Sequence, residues 1–117
     1  MKVKVSEATP VQIDWMVATA QQAYGGLTPS IDTDLDGTLR VNCGGQYPDW
    51  STDWAQGGPI IEREKIAVDP DADDGQWAAS TRDAPCYWTG HPPLIAAMRC
   101  YVASKMGDEV EVPEELA

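Results

Sequence analysis

Between Trp50 and Glu64 the chain reads Trp-Ser-Thr-Asp-Trp-Ala-Gln-Gly-Gly-Pro-Ile-Ile-Glu-Arg-Glu, and few stretches this short hold so many groups able to grip a ligand. Trp50 and Trp54 offer broad apolar faces with one N–H donor each, while Asp53 and Gln56 can fix orientation by hydrogen bonding. Gly57 and Gly58 would let backbone approach a ligand closely. The chemistry implied is recognition without reaction. Arg63, and Arg99 if it folds nearby, could add charge-assisted bonds to an anionic group. Each of these residues also has a plainer role: Gly57-Gly58-Pro59 could be only a tight turn before a strand, and the two tryptophans could only plug a sheet edge.

Other reactive residue types are present in weaker patterns. Asp32-Thr33-Asp34-Leu35-Asp36-Gly37 matches the first half of a calcium-binding loop, but Cys43 stands at the twelfth position, where a bidentate Glu is needed. An acidic turn is the simpler reading, and calcium at Asp32, Asp34 and Asp36 is the one cofactor the sequence suggests. The Asp69 to Gly75 loop is similar, with its glycine one place late. His91 is the only histidine and the natural base for neutral-pH catalysis, yet its place before Pro92 suits a helix entry. Ser51, Ser80 and Ser104 lack the glycine-framed settings of hydrolase nucleophiles. Glu62 and Glu64 alternate with Arg63 and Lys65, as on a solvated strand edge. Cys43, Cys86 and Cys100 are too widely spaced for a zinc site or a disulfide framework, which points to reduced thiols.

Charge narrows the partners. Nineteen acidic residues against eight basic ones give a net charge of −11, and no basic stripe exists to replace counterions on a polyanion. Direct nucleic-acid binding is therefore not expected. Acidity could instead draw a basic host protein, or simply keep the chain soluble. No apolar run approaches the roughly 18 residues of a membrane span, and Lys2 and Lys4 are not followed by a signal-type apolar segment. A soluble, unprocessed cytoplasmic protein is expected.

The elements that would position these groups can be read from local signals. Val3 and Val5 alternate with Lys2 and Lys4 in a short strand. Thr9, Pro10 and Gln12 then open a helix whose core face is Ile13, Met16, Val17, Ala20 and Tyr24, stopped by Gly25-Gly26. A second helix is expected from about Pro92 to Met106, with Leu94, Ile95, Met98, Tyr101, Val102 and Met106 as its apolar stripe and Gly107 as its stop. Strands are predicted at Leu39 to Asn42, Pro59 to Glu62, Lys65 to Val68, Gln76 to Ser80 and Cys86 to Trp88, with a hairpin loop from Asp69 to Gly75. The fold class is α+β: a small antiparallel sheet with an N-terminal and a C-terminal helix packed on it. Residues 1–107 should form one domain, with 108–117 an acidic tail or edge strand.

Two stretches carry a family resemblance, Ser51-Thr52-Asp53-Trp54-Ala55-Gln56-Gly57-Gly58-Pro59-Ile60-Ile61-Glu62-Arg63-Glu64 and the segment from Pro93-Leu94-Ile95-Ala96-Ala97-Met98 to Gly107-Asp108-Glu109-Val110. With the opening Met1-Lys2-Val3-Lys4 and the Asp14-Trp15 pair, the chain resembles the NinX family of small phage and prophage proteins. Residues Leu27 to Gly45 are the least family-like. The resemblance implies an accessory product acting in the bacterial host cytoplasm, and it carries over no catalytic residues.

Three functional readings follow. The first is a non-catalytic binding protein with a groove of Trp50, Asp53, Trp54, Gln56, Gly57 and Gly58, aided by Arg63 and Arg99, for a small molecule such as a nucleotide-like host signal, or for a short host peptide. The second is an acidic module that modulates a basic host protein. The third is a small hydrolase, for which no nucleophile and base can be assembled. The same tryptophans could instead form a homodimer surface.

Overall fold

The computed structural model describes residues 1–71, 75–82 and 87–117. Cys86, with the start of the predicted strand Cys86 to Trp88, and residues 72–74 of the predicted hairpin loop lie outside the described residues. The architecture is α+β, with the antiparallel pairing among the described residues divided among three small sheets. β1 (Lys2–Lys4) pairs with β7 (Glu109–Glu111), β2 (Ser30–Thr33) with β3 (Leu39–Asn42), and β4 (Ala67–Pro70), β5 (Trp77–Ser80) and β6 (Trp88–Gly90) form a meander. In register, Val3 faces Val110, Ile31 faces Val41 and Val68 faces Ala79.

Helix α1 (Pro10–Gln21) begins where Pro10 fits the first turn, and the Thr9 N–H donates to Gln12 Oε1 at 2.9 Å. Helix α3 (Pro93–Met106) is the centre of the fold. Leu94 to Met98, Cys100, Tyr101 and Val102 are all buried, so this helix is covered almost all round rather than along one stripe. It packs against β5 and β6 and also against α1 and α2, while β3 lies against α1. Residues after Gly107 close the molecule: Val110, Val112 and Leu116 are buried, and Gln12 Nε2 donates to the Leu116 carbonyl at 2.6 Å.

One element overturns the sequence expectation. Where Gly57-Gly58-Pro59 predicts a turn and Pro59 to Glu62 a strand, the chain forms helix α2 (Trp54–Glu64), with Pro59 inside it. The Asp53 side chain caps it by accepting from the Ala55 N–H at 2.9 Å. Lys65, at φ 55°, ends it, and the Ile66 N–H returns to the Ile61 carbonyl at 3.1 Å. Helical spacing puts Gly57 and Ile60 on the buried side. An alanine at position 57 would place its Cβ 2.5 Å from the Trp50 carbonyl oxygen and 2.6 Å from a Leu94 methyl, so only glycine lets α2 sit this close to α3. Gly58 has open space around it. It precedes a proline within a helix, where a Cβ would crowd the proline ring. Burial against α3 therefore outweighs local preferences that read as a break.

Candidate functional site

The polar groups of the Trp50 to Glu64 run build the entry to α2. Gln56 Nε2 donates to Asp53 Oδ2 at 3.1 Å, and Gln56 Oε1 accepts from the Asp49 N–H at 2.8 Å. The Asp53 N–H bonds the Asp49 carbonyl at 2.8 Å. Trp50 packs on the core and borders an apolar cavity of about 200 Å³ shared with Ala18, Gln21, Gly26, Leu27 and Cys43. Trp54 instead stands 53% exposed on the first turn of α2.

The two arginines proposed as anion partners are held by separate acceptors. Arg63 donates to Glu64 at 2.9 Å, Gln21 at 2.8 Å and the Tyr101 hydroxyl at 3.2 Å, with its guanidinium 4.4 Å from the Tyr24 ring centre. Burial would raise the Glu64 carboxyl, but hydrogen bonds from Lys105 and Arg63 outweigh it and hold the group below its ordinary range. This cluster ties together the C-terminal ends of α1, α2 and α3. Arg99 donates to the carbonyls of Thr89 at 2.8 Å and Ala8 at 3.0 Å, joining β6 to the lead-in of α1. Burial lowers its pKa, and its Nε is buried without a partner.

The three hairpin carboxylates are engaged as well. Asp32 accepts from Asn42 and from the Tyr47 hydroxyl, each at 2.7 Å, Asp34 lies 3.8 Å from Arg40, and Asp36 accepts from the Thr38 N–H at 3.0 Å. Among the described residues no group of three or more His, Cys, Asp or Glu side chains is placed to hold a metal ion. His91 is exposed immediately before the Pro92 cap of α3.

A site that the residue pattern did not single out lies beside α1. Asp14 sits in the apolar stripe between Ile13 and Met16 and is only 6% exposed. Its Oδ1 accepts from the Ser51 N–H at 2.9 Å, and the fully buried Ser51 donates its hydroxyl to the Pro10 carbonyl at 3.2 Å. Burial dominates these hydrogen bonds and, with a smaller contribution from Asp49, pushes the Asp14 carboxyl up to about 7. Asp14 borders a cleft of about 190 Å³ whose walls come from α1, β3 and the loop before α2. Pro10, Val11, Leu39, Val41 and Pro48 make it largely apolar; Arg40, Tyr47, Asp49 and Thr52 supply polar atoms. Tyr47 is oriented by its bond to Asp32 and by Arg40, whose guanidinium lies 4.9 Å from the ring centre. A buried acid at a core position of an amphipathic helix was the available signal, although its partners lie far along the chain.

This arrangement can bind a compact ligand by apolar contact and orient it by one buried carboxyl and a few polar neighbours. A carboxyl titrating near neutrality can also take or release a proton as a ligand enters. Among known families, the one described as Bacteriophage P22, NinX matches residues 4–105 of the chain. No curated protein matches it.

Proposed function

The chain belongs to the bacteriophage P22 NinX family, and from that premise we propose that it is a phage accessory protein that binds a small molecule without catalysis in the Asp14 cleft. The observation that carries this reading is the buried Asp14 carboxyl bordering a cleft with apolar walls. A buried carboxyl costs stability unless something compensates it, and ligand sites are where such groups recur. Trp54 becomes an exposed accessory residue in this reading, and Arg63 and Arg99 become structural. The setting proposed is the cytoplasm of the bacterial host.

The test is mass spectrometry of small molecules released from the purified protein, paired with amide chemical shifts on adding them back. Shifts centred on Val11, Val41 and Thr52 are expected, with Trp54→Ala binding as the parent does. Shifts centred on Trp54, with binding lost in a folded Trp54→Ala protein, would overturn the choice of cleft. A second reading, contact with a basic protein partner, draws on Leu35, fully exposed at the hairpin tip between Asp34 and Asp36. It requires binding that weakens steeply with salt and with Leu35→Ser.

A further inference from the structure

We infer that the Asp14 cleft selects a small flat organic cation, an amidinium or guanidinium on a compact apolar body, held by the Asp14 and Asp49 carboxylates against Leu39, Tyr47 and Pro48. This rests on the reading that the cleft binds a small molecule, and adds the ligand's charge and shape.

Sign comes first. Among the described residues, the charged side chains bordering the cleft are Asp14, Asp49 and Arg40, and Arg40 already lies over Tyr47 and beside Asp34. Two carboxylates are left to face a ligand, within a chain of net charge −11. The field of the whole molecule therefore favours a cation over a phosphate or carboxylate. Size and shape come next. A closed apolar cavity of about 150 Å³ holds a benzene ring, and this open cleft of about 190 Å³ has room for a ring with one planar substituent. Apolar walls match an organic body better than a hydrated metal ion. A planar fork of N–H donors suits carboxylate oxygens, and the Ser51 N–H bond to Asp14 Oδ1 does not fill the acceptor capacity of a carboxylate.

Cation binding must then expel the Asp14 proton. With this carboxyl at about 7, it is mostly protonated at pH 6 and mostly ionised at pH 8. Affinity for a cation should rise about ten-fold across that interval. Among the described residues, the other charged or titratable groups facing the site are Asp49 and Tyr47 from the loop before α2 and Arg40 from β3. Tyr47 is pushed up by its hydrogen bond to Asp32 and stays neutral in this range.

Benzamidine is a direct probe, with benzamide as its neutral isostere and benzoate as its anionic one. Titration of the intact protein, followed by amide shifts and by calorimetry in two buffers, is expected to place benzamidine in the cleft. Its Kd should be about ten-fold lower at pH 8 than at pH 6, with close to one proton released at pH 6. Asp14→Asn, which retains an acceptor for the Ser51 N–H, should weaken binding at pH 8 at least ten-fold and flatten the pH dependence. Benzamide or benzoate binding there as tightly would overturn the cation inference while leaving small-molecule binding intact. Benzamidine bound without pH dependence, or none of the three entering the cleft, would also overturn it. A copurified molecule shifting the same amides would still support the broader reading.

Discussion

Replacing Asp14 by Asn is expected to make the protein more stable at neutral pH and slightly less stable in acid. The carboxyl is 6% exposed and titrates at about 7 in the folded chain, against 3.8 when unperturbed. Folded protein therefore keeps a proton that the unfolded chain has already lost between roughly pH 4 and pH 7, and stability falls as pH rises through that window. About three pKa units at about 1.4 kcal/mol each set the full cost near 4 kcal/mol above pH 7. Asn carries no such term, though its amide N–H₂ must find an acceptor or water in the cleft, which offsets about 1 kcal/mol or more of the gain. Urea unfolding of both proteins at pH 4, 6 and 8 measures the difference directly, because carboxylates elsewhere in the chain contribute equally to both. The variant should be about 1 kcal/mol less stable than the parent at pH 4 and about 2–3 kcal/mol more stable at pH 8. Parallel stability curves would refute the burial argument, and with it the proton expulsion assigned to ligand entry.

Two further outcomes test the packing that frames the cleft. Gly57→Ala gains about 1 kcal/mol of helix propensity but forces a methyl against the Trp50 carbonyl and Leu94, an overpacking cost of about 1–3 kcal/mol. Thermal unfolding should show a net loss of up to about 2 kcal/mol, and a raised Tm would refute the close seating of α2 on α3. Ending the chain after Pro113 removes the buried Leu116 side chain and its carbonyl bond to Gln12. That should cost about 2–3 kcal/mol in urea unfolding, and no loss would refute the docking of the C-terminal turn.

Several parts of the fold were legible because their signals are local. Thr9-Pro10 and Gly25-Gly26 bracket the helical run containing α1, and Pro92-Pro93 and Gly107 bracket α3, each acting through backbone chemistry within a residue or two. The strand Leu39–Asn42 was read with its observed bounds, while its partner Ser30–Thr33 was not anticipated. Val110, Val112 and Leu116 marked a C-terminal segment with apolar side chains to bury, but their spacing alone left tail and edge strand equally open. Helix α2 was not legible. Gly, Gly and Pro each disfavour a helix locally, and the close seating of Gly57 on Leu94, more than thirty residues onward, is a contact that local spacing does not signal.

The candidate site divides in the same way. Sequence alone established an acidic chain without a basic stripe, a resemblance to the family to which it belongs, and its two longest helices. Tertiary structure decided what those groups do. It turned Asp53 and Gln56 into the cap of α2, committed Arg63 and Arg99 to internal acceptors, and brought Ser51 to Asp14 across 37 residues of sequence. The physical reason is range. Caps, turns and amphipathic spacing act between near neighbours, whereas the burial that moves the Asp14 carboxyl to about 7 exists only once β3 and the loop before α2 close over α1.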